Sequence, residues 1–115
     1  MAELINTIDD KKLAYAVRTG ANNVIQMKDA VGKEIIIKHV LQYVTTNSSG
    51  EDVVCSNIIG SDDVIYQTLS ATVSDCITSL FEIFGESGQL SEELTVEIIE
   101  KKSNKGNRFL SLELK

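Results

Sequence analysis

Four cations crowd one short window near the C-terminus. Lys101, Lys102, Lys105 and Arg108 stand in KKSNKGNR with no acid among them. Amines and a guanidinium this close on a Gly-containing turn can hold phosphate groups, and a local patch does so even on an acidic molecule. A solvated turn would use lysines too, but the preceding stretch argues for more than solubility. Glu82 to Glu100 holds six glutamates and no basic residue, so the positive charge is focused rather than scattered. Lys38, which shares a strand face with Gln42, is a further candidate phosphate contact.

Aromatic rings are the other resource, since single-stranded nucleic acid is held by stacking bases on flat side chains. Tyr66, in VIYQTL, lies on the face opposite Ile65 and Leu69. If those two aliphatics face a core, Tyr66 points outward and is available for stacking. Phe109 lies opposite the face of Leu110, Leu112 and Leu114, beside Arg108. Tyr43 shares parity with Ile35 and Ile37, which predicts core unless a β-bulge exchanges the faces. Phe81 and Phe84 recur at helical spacing and are expected in the core, and Tyr15 is expected to pack.

Catalysis finds little support. His39 is the only histidine and has no Cys, Asp or Glu at ligand spacing. The adjacent pairs Asp62–Asp63 and Glu92–Glu93 suit solvated loop ends better than acid–base work. The glycines are isolated punctuators and form no phosphate-cradling loop. Cys55 and Cys76 lack metal-ligand spacing and are expected to be reduced, small apolar residues. The chain therefore reads as a non-enzyme that needs no metal and no cofactor.

Composition agrees with a single module. With 115 residues, 43% of them hydrophobic, the chain can bury a core without disulfides. The net charge of −6 is unevenly distributed: residues 1–60 carry six basic and seven acidic groups, residues 61–115 five and ten. No apolar run reaches the length of a membrane span and no leader is recognisable, which points to a cytoplasmic protein.

The elements that must position these residues follow from periodicity. Thr7 to Arg18 predicts a short helix capped by Asn6 or Thr7, with Asp9 and Asp10 in its first turn and Gly20 as its stop. EIIIKHVLQYV predicts a long strand, apolar on both faces, that is buried at one end or bulged. TTNSSGED is a loop, and VVCSNII and VIYQTL are strands joined by Gly60–Asp63. Thr72 opens a helix with Asp75 placed like the acid of a capping box, and Gly85 ends it. LTVEIIE and RFLSLEL close the chain as a hairpin around KKSNKGN.

Three strands, a helix and two strands is the chain order of the OB-fold, a mainly β, five-stranded Greek-key barrel with its helix between strands 3 and 4. The expectation is one such domain over residues 1–115, with segment 1–21 packed on the barrel as a short N-terminal helix. An SH3-like barrel fits less well, and an α+β sheet under one helical layer is the main competitor. In OB-folds ligand crosses strands 2 and 3 between two loops, here TTNSSGED and KKSNKGN.

The pieces GKEI, IKHV, IYQTLS, SLFEIFGE and GNRFLSLEL, in that order and spacing, resemble the small single-stranded-DNA-binding proteins of phages that infect Gram-positive bacteria. The resemblance covers roughly residues 22–115. It implies an OB-fold, single-stranded DNA as partner without strong sequence preference, and a role in phage DNA replication or recombination in the host cytoplasm. A protein of that machinery is a second candidate partner, and a monomer or small homo-oligomer is expected. Relatives often place Pro and an aromatic after FGE, where this chain has Glu86-Ser87-Gly88-Gln89. The chain also ends at SLELK without an acidic tail. Two other functions compete: a protein-binding module or inhibitor of a host factor using the acidic 82–100 surface, and a virion component assembling through strand edges.

Overall fold

The long β-branched run sets the architecture. The computed structural model describes residues 4–8, 10–19 and 24–115. Among them the order is α1 (Lys11–Thr19), β1 (Val24–Gln26), a 3-10 turn (Met27–Asp29), β2 (Glu34–Thr46), β3 (Asp52–Gly60), β4 (Ile65–Thr68), α2 (Ala71–Phe84), β5 (Gly85–Glu86), β6 (Gln89–Leu90), β7 (Thr95–Lys102) and β8 (Arg108–Leu114). Six strands form one sheet in the order β1-β4-β3-β2-β7-β8, and β5 with β6 makes a small separate hairpin. All neighbours are antiparallel except β1, which runs parallel to β4.

β2 belongs to both halves of the sheet. Its first residues, Glu34 to Ile36, pair with β7, and from Ile37 onward it pairs with β3. The register slips between Ile37, opposite Gly60, and His39, opposite Ile59, so Lys38 is the extra residue of a bulge. The faces exchange there. Ile35, Ile37 and Val40 all enter the main core, whereas Leu41 turns to the other side. A bulge also bends its strand, and the sheet curls into a half-barrel about β2.

The expected five-stranded barrel is corrected in two respects. Among the described residues the sheet has a sixth strand, and β8 makes no pairing with β4. β1 occupies the free edge of β4 instead, with Val24 opposite Ile65 and Gln26 opposite Gln67. α2 spans the curl by packing against both β3 and β8, and Val73 and Ile77 join Ile58, Tyr66, Val96 and Ile98 in the core. A second, smaller cluster lies on the outer face, where Val17 of α1 meets Ile8, Leu41, Ile59 and Ile65.

Local signals shift several boundaries. α1 starts at Lys11 rather than Thr7, because Asp10 is its cap: Asp10 Oδ1 accepts from the Lys12 N–H at 2.9 Å. Thr7 is taken up by β2, its hydroxyl accepting from the Val40 N–H at 2.9 Å and its own N–H donating to the Val40 carbonyl. Asp9 and Gly20 lie outside the described residues. α2 is capped by Ser70, which accepts from the Val73 N–H at 3.2 Å, and Asp75 is exposed with no capping role. Gly85 does end α2, by crowding rather than by a left-handed turn. A Cβ there would collide with the Phe81 carbonyl. In the β5–β6 hairpin, which the sequence did not suggest, Ser87 and Gly88 both have positive φ, as a type I′ turn requires.

Candidate nucleic-acid interface

The cationic window forms an arm. Ile98 is still tied to the turn that leads into β2, accepting from the Gly32 N–H and donating to the Lys33 carbonyl. Beyond it β7 and β8 pair only with each other, from Ile99 to Lys102; Ser111 and Leu110, opposite Ile99 and Glu100, still pack on the body of the protein, so the free end begins at Lys101 and Phe109. Lys101 and Lys102 are therefore strand residues, and the turn is confined to Ser103–Asn107. That turn is closed by Ser103 N–H to the Asn107 carbonyl at 2.7 Å and Asn107 N–H to Ser103 Oγ at 3.2 Å. Gly106 takes φ +85°, a conformation other residues resist. Lys101 stands opposite Phe109 on one face, and Lys102 opposite Arg108 on the other. All four cations are exposed, while Arg108 is held at 3.2 Å by Glu100 on its own face.

A second candidate surface is the outer face of β2, β3 and β4. After the bulge this face carries Leu41 and Tyr43 opposite Asn57 and Cys55, with Gln67 beside Asn57 and Gln26 beside Gln67. The side chains form a ladder. Gln26 Nε2 donates to Gln67 Oε1 at 3.2 Å, and Gln67 Nε2 to Asn57 Oδ1 at 3.0 Å. Asn57 Nδ2 in turn donates to the Leu41 carbonyl at 3.1 Å. Asn57 is fully buried, and these bonds offset its desolvation. The Arg18 guanidinium, from the end of α1, lies 5.1 Å over the centre of the Tyr43 ring, a cation–π contact that shields the ring. Burial pushes the Tyr43 hydroxyl up to about 12, aided by the neighbouring Cys55 thiol and opposed by Arg18.

The family model described as Phage Single-stranded DNA-binding protein matches residues 5–115. The chain belongs to that family. No curated protein and no solved structure matches it. Members of a single-stranded-DNA-binding family hold DNA without transforming it, so the non-enzymatic reading stands.

The structure sorts the residues expected to serve this phage single-stranded-DNA-binding chain into separate places. Lys101, Lys102, Lys105, Arg108 and the half-buried Phe109 come together on the arm. Tyr43 sits on the outer face of β2, half-buried beneath Arg18. Lys38, at the bulge, is paired with Asp63 at 2.8 Å, and the ammonium holds that carboxyl below its usual range.

Tyr66 is a correction. It is only 2% exposed and its hydroxyl donates to Asp62 Oδ2 at 3.2 Å, so no base can reach the ring without opening the core. The parity argument assumes that only one face of β4 is covered. In fact the N-terminal segment covers the Ile65 face and the main core takes the Tyr66 face, while Leu69, beyond the strand end, is exposed. Tyr15, expected to pack, is a second correction: it is 72% exposed.

Sequence reasoning passed over Arg18, Asn57, Gln67 and Gln26. A signal existed for Asn57, an amide set within the apolar strand VVCSNII, because a polar residue buried mid-strand must find partners.

Proposed function

We propose that this chain binds single-stranded DNA without strong sequence preference, in phage DNA replication or recombination, in the cytoplasm of the host cell. The observation that carries this reading is the arm. In a molecule of net charge −6, Lys101, Lys102 and Lys105 project together on a two-stranded extension, with Arg108 partly neutralised by Glu100. Phosphates would meet the arm, with Phe109 beside Lys101 as a stacking surface. The accessible part of the outer face, the half-buried Tyr43 and the exposed Gln26, would receive bases, while the buried Asn57 holds the ladder in place. Lys38 is a lesser contact, since a phosphate must displace Asp63 from it.

In this reading the half-barrel is an OB-type unit. β2, β3 and β4 act as its first three strands, α2 as its helix, and β7 and β8 as its last two, with the barrel left open between β4 and β8. α1 belongs to the same domain. Rings stack on any base, which fits tolerance of sequence. Among the described residues no helix is long and apolar enough to cross a membrane. Use of the acidic 82–100 surface for a protein partner is less well supported. Two of its six glutamates, Glu97 and Glu100, are already engaged by Lys115 and Arg108.

Fluorescence anisotropy with labelled oligo-dT tests the proposal. Micromolar or tighter binding at low salt is expected, with duplex of the same length bound at least about tenfold more weakly, the usual result when stacking on unpaired bases supplies affinity. Equal affinity for the two forms would refute it.

A further inference from the structure

The solvent face of α1 has a composition that folding does not call for. Helical spacing divides KKLAYAVRT into two sides. Leu13, Ala14 and Val17 pack toward Leu41, Ile59 and Ile65, while Lys11, Lys12, Tyr15, Arg18 and Thr19 are exposed. Tyr15 is 72% exposed, so its ring contributes little burial, and tyrosine is a poorer helix former than alanine or lysine. Lys11 and Lys12 precede it by four and three positions and Arg18 follows by three, so all three cations neighbour the ring on the helix surface. α1 carries no acid of its own, although its cap, Asp10, is one. Arg18 also connects this helix face to the sheet, because its guanidinium lies 5.1 Å from the Tyr43 ring centre.

A ring with cations one helical turn to either side alternates the two features that a single strand presents, a flat base and a phosphate. We propose that the exposed face of α1 is a second contact for single-stranded nucleic acid: Tyr15 stacks a base, Lys11 and Lys12 hold flanking phosphates, and Arg18 leads the strand to the Tyr43 face. The inference rests on the single-strand-binding reading and extends it to a surface remote in sequence from the arm. With Lys11, Lys12 and Arg18, seven of the chain's eleven basic residues then lie on two DNA-binding segments. The polyanion is favoured over an apolar partner because the ring is surrounded by cations.

The test uses the full chain with labelled oligo-dT. Tyr15→Ala is expected to weaken binding roughly 5- to 150-fold, the range of one lost base stack, with an unchanged melting temperature. Tyr15→Trp should bind normally, and the emission of its single indole should fall on titration with DNA. Lys11→Ala/Lys12→Ala should flatten the plot of log K against log salt by roughly 1.4. If Tyr15→Ala retains full affinity, or the indole emission of Tyr15→Trp does not respond while the wild-type chain binds, the helix is off the DNA path and the inference fails alone. Loss of affinity accompanied by a smaller sedimenting species would assign Tyr15 to a contact between copies and also overturn it. A wild-type chain that binds no oligo-dT removes the underlying reading and the inference together.

Discussion

Neutralising the arm should change how binding depends on salt more than it changes binding at any one salt. Lys101, Lys102 and Lys105 are exposed, and each can neutralise a phosphate, whereas Arg108 already faces Glu100 at 3.2 Å. Each neutralised phosphate of a single strand contributes about −0.7 to the slope of log K against log salt, so the three lysines together account for about −2.1. Between 50 and 200 mM salt that slope alone lowers affinity about 18-fold. Lys101→Ala/Lys102→Ala/Lys105→Ala should therefore be weakest relative to wild type at low salt and approach it as salt rises. Arg108→Ala should flatten the slope by less than one lysine does. Glu100→Gln releases Arg108 and should steepen it, a change opposite in sign that general destabilisation would not mimic. Anisotropy titrations with labelled oligo-dT over a salt series measure all three. A triple variant with the wild-type slope would place the DNA path away from the arm and leave its lysines as a solvated turn.

Two further outcomes test the core and the outer face. Tyr66→Ala should destabilise the fold by about 3–5 kcal/mol, as truncating a buried aromatic does, seen in urea unfolding, while the folded fraction keeps its affinity; lost affinity at unchanged stability would refute the core placement. The Tyr43 hydroxyl is raised from 10.0 to about 12 in the fold, and burial with Asp62 raises that of Tyr66 as well. The folded state therefore binds these protons more tightly than the unfolded chain, so their stabilisation is complete below pH 10.0 and is lost at higher pH, for Tyr43 as pH rises toward about 12. Denaturant midpoints should fall across that window while tyrosinate absorbance rises. Tyr43 ionising at the ordinary value in the native protein would contradict its burial beneath Arg18.

Much of this protein was legible in one dimension because the relevant physics is local. Alternating β-branched residues announced the strands. The spacing of Val73, Ile77, Leu80 and Phe84 announced α2, and the charge contrast at Glu100–Lys101 announced a cationic hairpin. Other features were beyond local patterning. The parity rule offered two fates for Tyr43, and only the bulge at Lys38, created by pairing with Gly60 and Ile59, chose between them. The same rule placed Tyr66 outside because it counts one covered face per strand. The packing of α1 over Ile65 covers the second, and no property of VIYQTL reports a helix some fifty residues earlier in the chain. Ion pairing was equally hidden: Lys38 with Asp63 and Arg108 with Glu100 are charges joined by folding, and they decide which cations remain for a phosphate. Sequence by itself determined the longer strands, the helix α2 and the sign of each charged segment, since those depend on residues within a few positions of one another, whereas the short strands β1, β5 and β6 did not show in it. Which face each ring presents, and which charge stays uncompensated, depends on contacts between distant segments, and only the tertiary structure decided it.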